Sequence, residues 1–402
     1  MPLPLGHKPL FALLAAALTG VLPCTAALAQ SSPPSPSSPA ALSDAQARPV
    51  VQHYAQLVQA GYEDTLAAAL ALHQAVQALV AQPSAERLQA ARRAWLEARE
   101  WYGQTEAFRF YAGPIDDEHG PEGRMNGWPL DESYIDSVVG KPGGGLINDP
   151  QFTITPAALI QANQKDGEEN ISAGWHAIEF FLWGQDQSTT GPGDRPFGDF
   201  VDGQAPHADR RRQYLSVVTE LLTDDLRGLV QAWAPASANY RAAFEQGGPE
   251  SVRKIFIGLG SLSRGELAGE RLEVALSTQN QEDEQSCFSD NTHRDVVADA
   301  LGIQNVWLAR YRRRDGSVLQ GPALRDLVAA RQPALADKTS AQIAESLAWA
   351  ERIPAPFDQA ILHGAPGRPV IEHTVQSLTV QARLLAQAAA ALGITRLTMS
   401  RH

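Results

Sequence analysis

His176 and Glu179 stand three residues apart in the run Gly174-Trp175-His176-Ala177-Ile178-Glu179, which continues as Phe180, Phe181, Leu182 and Trp183. Two ionisable side chains are therefore set in a strongly apolar stretch. On a helix this spacing puts the imidazole and the carboxylate on one face. Burying either group alone is costly unless it is paired, neutralised or bound to a metal. The chemistry open to such a pair is metal coordination or proton transfer, and the plain alternative is a hydrogen-bonded pair that locks a helical core. No zinc-peptidase signature accompanies it. His-Glu-x-x-His is absent, and the inverted form His-x-x-Glu-His fails at Phe180.

Four other segments concentrate ionisable residues. Glu106 and Arg109 are spaced to pair on a helix that carries Trp101, Phe108 and Phe110, where a simple salt bridge is the bland outcome. Pro129-Leu130-Asp131-Glu132 has the form of a helix cap followed by a first-turn acid. Glu266 and Glu270 lie one α-helical turn apart, and their repulsion is relieved by a cation, by Arg271 or by solvent. The run from Glu282 to His293 is the densest in ligand-type residues, and in it Asp290 and His293 repeat the carboxylate and imidazole spacing. Ser289 or Asp290 is expected to cap a following helix. Residue type and spacing thus extend the candidate metal-ligand set from His176 and Glu179 to Glu106, Glu270, Asp290 and His293.

Nucleophile chemistry finds no support: there is no Gly-x-Ser-x-Gly elbow, and nothing around Cys287 marks an activated thiol. Phosphate and dinucleotide loops are also missing. The short basic runs 210–212 and 312–314 read as solvated faces.

The elements that must position these groups follow a leader. His7 and Lys8, an apolar run from Leu10 to Val21, and Ala27-Leu28-Ala29 read as a secretory signal peptide over residues 1–29, with mature protein beginning near Gln30. The expected location is the periplasm. A lipoprotein anchored through Cys24 is disfavoured because Pro23 precedes that cysteine where a small residue is needed. No later stretch looks long and apolar enough to span a bilayer. Residues 30–48, rich in Ser and Pro, read as a linker. Loss of Lys8 leaves one fewer than the 33 basic side chains against 45 acidic ones. This acidity argues against nucleic acid or an anionic membrane as partner. Cys287, left alone, cannot form an intrachain disulfide, so a hydrophobic core must hold the fold.

Apolar residues recur every three or four positions over 51–80, 85–111, 156–164, 171–184, 208–233, 249–279, 326–330, 341–353 and 370–392, while strand-like alternation is scarce. The expected fold class is all-α, as two helical bundles in series, 49–205 and 206–402, with the seam in the Gly- and Pro-rich loop 189–206. Long irregular connections interrupt them, notably after Tyr111.

Gly174-Trp175-His176-Ala177-Ile178-Glu179, Thr105 to Tyr111, Trp128 to Glu132 and Glu282 to His293 together resemble the imelysin family, in particular its iron-regulated protein A branch. The resemblance spans roughly 50–394. It implies an exported helical protein with a site where two bundles meet, in iron acquisition, and it points to His176 and Glu179 as site residues. Three functions are then open. One is a metal-binding protein, with iron favoured and zinc an option, receiving a metal ion or small metal chelate and working with other components of an iron-uptake system. The second is a metallopeptidase, as the family label suggests, with Glu179 as ligand or general base. A zinc peptidase needs three protein ligands plus a base, and the motif supplies only part of that set. The third is a structural or adaptor role, with the polar residues forming an internal network.

Overall fold

The computed structural model describes residues 41–235 and 238–398. The expected signal peptide, Cys24 and most of the linker lie outside them. Helix α1 (Asp44–Ala81) begins inside the segment read as linker, because Ser43 and Gln46 form a reciprocal capping box there. Pro83 and Ser84 end that run, and the Ser84 hydroxyl accepts from the Arg87 N–H to start α2 (Ala85–Thr105). The chain then tightens into a 3-10 turn at Glu106–Phe108, so Phe110, with φ +71°, lies beyond the helix on which periodicity placed it.

The long excursion carries α3 (Glu122–Met125) and α4 (Glu132–Ile135), the latter capped by Asp131 as expected. Next come α5 (Pro156–Ala162), α6 (Gly174–Trp183), α7 (Ala208–Ala232) and the short α8 (Tyr240–Gln246). One continuous rod follows. It starts as α9 (Pro249–Ser261), widens into a π-helix over Leu262–Glu273, and returns to α geometry in α10 (Val274–Thr278). Helix α11 (Thr292–Leu308) leads into a small antiparallel hairpin, β1 (Arg310–Arg312) with β2 (Val318–Gln320). The chain closes with α12 (Leu324–Ala329), α13 (Pro333–Ala350), α14 (Phe357–Ala360) and α15 (Arg368–Ala391). The class is all-α, as the periodicity required.

Packing places α2 at the centre, against α1, α6 and α11, while α15 lies on α13, α9 and the π-helix. Helices of the first expected bundle thus pack on helices of the second across 205/206, and the buried apolar side chains join in one cluster. One sequence expectation is corrected here. Helix α1 is long and apolar enough, by length and composition, to cross a membrane, because its Ala-rich second half raises the mean hydropathy. Its buried face, including Val51, Tyr54, Val58, Leu72 and Val76, is used against neighbouring helices, as in the core helix of a globular fold.

Candidate functional site

Every residue of α6 is buried, and its first residue explains how it enters the core. Gly174 has φ +87°, and a Cβ there would stand 2.4 Å from the carbonyl oxygens of both Arg124 and Met125. Only glycine allows this conformation and this close approach. Gly174→Ala is therefore expected to cost at least about 2 kcal/mol from backbone strain and overpacking together. Urea unfolding checks it, and a wild-type midpoint would mean that α6 is not anchored here.

Two residues on, His176 is 2% exposed, and Glu179 is fully buried. His176 Nδ1 lies 2.8 Å from Glu179 Oε2. The other carboxyl oxygen, Oε1, accepts from the Ser289 N–H at 2.9 Å and from the Ser289 hydroxyl at 2.6 Å. Both oxygens of Glu179 are thereby engaged, whereas His176 Nε2 has no hydrogen-bond partner. Burial, helped by the nearby Arg99, pushes the imidazole down to about 3. Burial also lifts Glu179 to about 8, against the pull of the Ser289 donors. At neutral pH the pair is a neutral imidazole beside a protonated carboxyl group.

Next to this pair runs a buried ladder of charges. Arg99 on α2 donates to Asp295 at 3.1 Å and to Asn126 at 2.8 Å, and its guanidinium lies over the Trp95, Tyr102 and Trp175 rings. Arg271, from the π-helix, pairs with Glu106 at 2.6 Å, with Glu266 at 3.0 Å and with Asp299. Glu106 is also held by Arg109 at 2.5 Å. Burial alone would raise the Glu106 pKa, but Arg109 and Arg271 outweigh it and hold the group at about 2.

These contacts redistribute the sequence candidates. Glu106, expected as a metal ligand, is a carboxylate clamped between two guanidiniums and so is already neutralised. The expected Glu106–Arg109 salt bridge is present, at the turn that ends α2. Glu270 is exposed, because the wider π-helix sets Glu266 beneath Arg271 five residues on and turns Glu270 outward. His293 is half buried, and its Nδ1 lies 3.0 Å from the backbone oxygen of Asp290 rather than from a carboxylate. Asp290 does not cap α11, whose cap position is Asn291. Its carboxylate instead meets Glu284 and Asp358, with one oxygen of each within 4.8 Å of the others. Among the described residues this is the group of His, Cys, Asp or Glu side chains gathered closely enough to hold one ion, so His176, Glu179, Glu106, Glu270, Asp290 and His293 do not converge on one point.

Sequence reasoning passed over several residues now seen at the site. Glu284 stood inside the acidic run 282–293, and Ser289, expected there as a cap of the following helix, instead donates to Glu179. Asp358, in the one-turn helix α14, carries no local signal. Arg99 appeared as an ordinary member of an amphipathic helix, and Arg271 was expected only beside Glu266 and Glu270, where it does meet Glu266 at 3.0 Å but also reaches Glu106 and Asp299.

The family model for imelysin (peptidase M75) matches residues 58–385, a span that contains every one of these groups. The chain belongs to the imelysin family. Iron-regulated protein A of Synechococcus elongatus (strain ATCC 33912 / PCC 7942 / FACHB-805) is 28% identical to this imelysin over 313 residues, 75% of this chain and 74% of that one. The crystal structure of a protein described as an iron-regulated protein A precursor, from Parabacteroides distasonis ATCC 8503, superposes with a TM-score of 0.68 at 19% identity, covering 87% of this imelysin and 96% of the other chain. That likeness establishes a shared helical fold.

Proposed function

We propose that this imelysin is an exported protein that binds a divalent metal ion, iron in the first instance, through Glu284, Asp290 and Asp358. The observation that carries the reading is a set of buried carboxylate oxygens facing one another with too few donors, the Thr292 hydroxyl beside Glu284 being the one side chain that lowers its pKa. Both oxygens of Glu284 and one each of Asp290 and Asp358 are buried and lack hydrogen-bond partners. The three residues are 1%, 7% and 6% exposed. Burial lifts Asp290 to about 7, and the ionisable groups that act on it, Asp186, Asp358 and Glu179, are all acids that push the same way, with no cation among them. Burial and the same kind of neighbours raise Glu284 well above the usual carboxylate range. Such a group is stable only when protonated or when a cation joins it.

An all-oxygen set favours hard divalent ions, and carboxylates also hold iron in helical bundles. The preference for iron draws on the name of the Synechococcus relative, and the exported setting on the N-terminal leader. Metal would arrive as the ion or as a small chelate and pass to other components of an uptake system. His176 and Glu179 stand beside this ligand set rather than within it, and the set contains no histidine, so the peptidase alternative gains no observation from it.

Anaerobic calorimetric titration of the mature protein with Fe(II), and with Mn(II) as a stable surrogate, is expected to reveal one saturable site. Asp358→Asn should weaken it at least about tenfold, since a lost carboxylate ligand is not replaced by a neutral amide. An isotherm unchanged in Asp358→Asn combined with Glu284→Gln would refute the assignment.

A further inference from the structure

Asp290 reaches its two partners from a backbone conformation that a non-glycine residue rarely adopts, with φ +54°. Aspartate tolerates this left-handed conformation better than most L residues, and the contacts around the turn show how it is held here. The residue before it is gripped twice by one carboxyl oxygen, through the Ser289 N–H and the Ser289 hydroxyl to Glu179 Oε1. Glu179 is oriented in turn by His176 through its other oxygen. The ring of Phe288 packs on Phe180 with centroids 5.3 Å apart, and the Phe288 carbonyl accepts from the Gly193 N–H at 3.0 Å, so the same turn is tied to α6 and to the 185–195 loop.

We infer that His176 and Glu179 are positioning residues whose task is to fix the Ser289–Asp290 turn and so present the Asp290 carboxylate to Glu284 and Asp358. The inference rests on the metal-binding reading of those three carboxylates. The most conspicuous motif in the sequence then acts one residue away from the ligand it serves. Its buried imidazole sets Glu179 by accepting or sharing a proton at Nδ1, and Glu179 sets Ser289. Outer partners of this kind commonly govern metal affinity without touching the metal.

Replacing Glu179 separates positioning from ligation. Glutamine keeps an oxygen for the two Ser289 donors and offers its NH2 group to His176 Nδ1, so the turn survives without the carboxyl group. Alanine removes both. In calorimetric titrations with Mn(II), Glu179→Ala is expected to bind about 10- to 100-fold more weakly than wild type, and Glu179→Gln should recover most of that loss. The electron paramagnetic resonance spectrum of bound Mn(II) should be the same in Glu179→Gln as in wild type, because the ligands are the same. Ser289→Ala, which deletes a single hydrogen bond, should weaken binding by a smaller factor and serves if Glu179→Ala fails to fold.

Asp358→Asn runs alongside as the reference. If it loses binding while Glu179→Ala or Ser289→Ala retains wild-type affinity, the positioning role is overturned and the metal site stands. If Glu179→Gln binds as weakly as Glu179→Ala, with an altered Mn(II) spectrum, Glu179 is a ligand and the positioning role is again overturned. If Asp358→Asn binds as wild type does, both readings fall together.

Discussion

Arg271→Met is expected to destabilise the folded protein by about 3–5 kcal/mol, the cost of leaving buried carboxylates without their counter-charge. The Arg271 side chain is 1% exposed and pairs with Glu106, Glu266 and Asp299, of which Glu106 and Asp299 are equally enclosed. The pH dependence follows from Glu106. Its folded pKa of about 2 lies below the ordinary value of 4.5, so its contribution is complete above about pH 4.5 and is lost as pH falls toward 2. Arg109 alone cannot keep the group so low, so the deficit of the variant should be largest at neutral pH and should narrow on acidification. Adding Glu106→Gln to Arg271→Met should return part of the stability, because the second change removes a charge that the first left unpaired. Urea unfolding at pH 7 and pH 4 measures all three. A neutral-pH deficit under about 1 kcal/mol would show that the ladder contributes little, as exposed ion pairs do.

The ladder also marks where sequence reading stops. Period and punctuation were enough for α2, α7, α15 and most of α1: their apolar spacing is regular, Ser84 caps α2 and Asp131 caps the short α4 as expected, although α1 starts earlier than its periodic run, at Asp44. The pairing of His176 with Glu179, three residues apart on a buried helix, was equally local and legible. What failed depended on local departures from α geometry or on distant partners. Glu266 and Glu270 share a face in an α-helix but not in the π-helix that forms here. Glu106 looked available because Arg271, its second partner, arrives from the far half of the chain. Asp290 belonged to the candidate set for the wrong reason: its spacing to His293 suggested a shared ligand role, whereas its carboxylate looks the other way, toward Glu284 and an aspartate in α14 that no spacing could foretell. A short helix such as α8 and the small hairpin were missed because neither spans enough residues to establish a period.

Between pH 6.5 and 8 the metal-free protein is expected to lose stability as pH rises, and a bound divalent ion is expected to restore it. The sign comes from carboxyl groups whose folded pKa lies above the unfolded value: Asp290 at about 7, Glu179 at about 8, and Glu284 well above its usual range. In this window the unfolded chain has already released those protons and the folded chain still holds them, so deprotonation pulls toward unfolding. Each group contributes up to about 1.4 kcal/mol per pH unit until its folded pKa is passed. Histidines act in the opposite direction at lower pH. His73, His176 and His293 are all pushed down by burial, so they remain neutral when folded and would charge on unfolding, but that penalty fades above about pH 6.5, the ordinary histidine value. Metal replaces protons at Glu284, Asp290 and Asp358, so its stabilising effect should grow with pH. At a hundredfold excess over Kd the gain is about 2.7 kcal/mol. Thermal melts in a chelator, and then in excess Mn(II), at pH 6.5 and at pH 8 separate the contributions. The chelated protein should melt lower at pH 8, and Mn(II) should raise its Tm more there than at pH 6.5. At the same Mn(II) concentration Asp358→Asn should cut the metal response to about half or less, since a site about tenfold weaker leaves about 1.4 kcal/mol, while keeping the descent due to Glu179. A chelated protein that grows more stable toward pH 8, with Mn(II) indifferent to pH, would mean that these carboxylates neither hold protons in the folded chain nor exchange them for a cation.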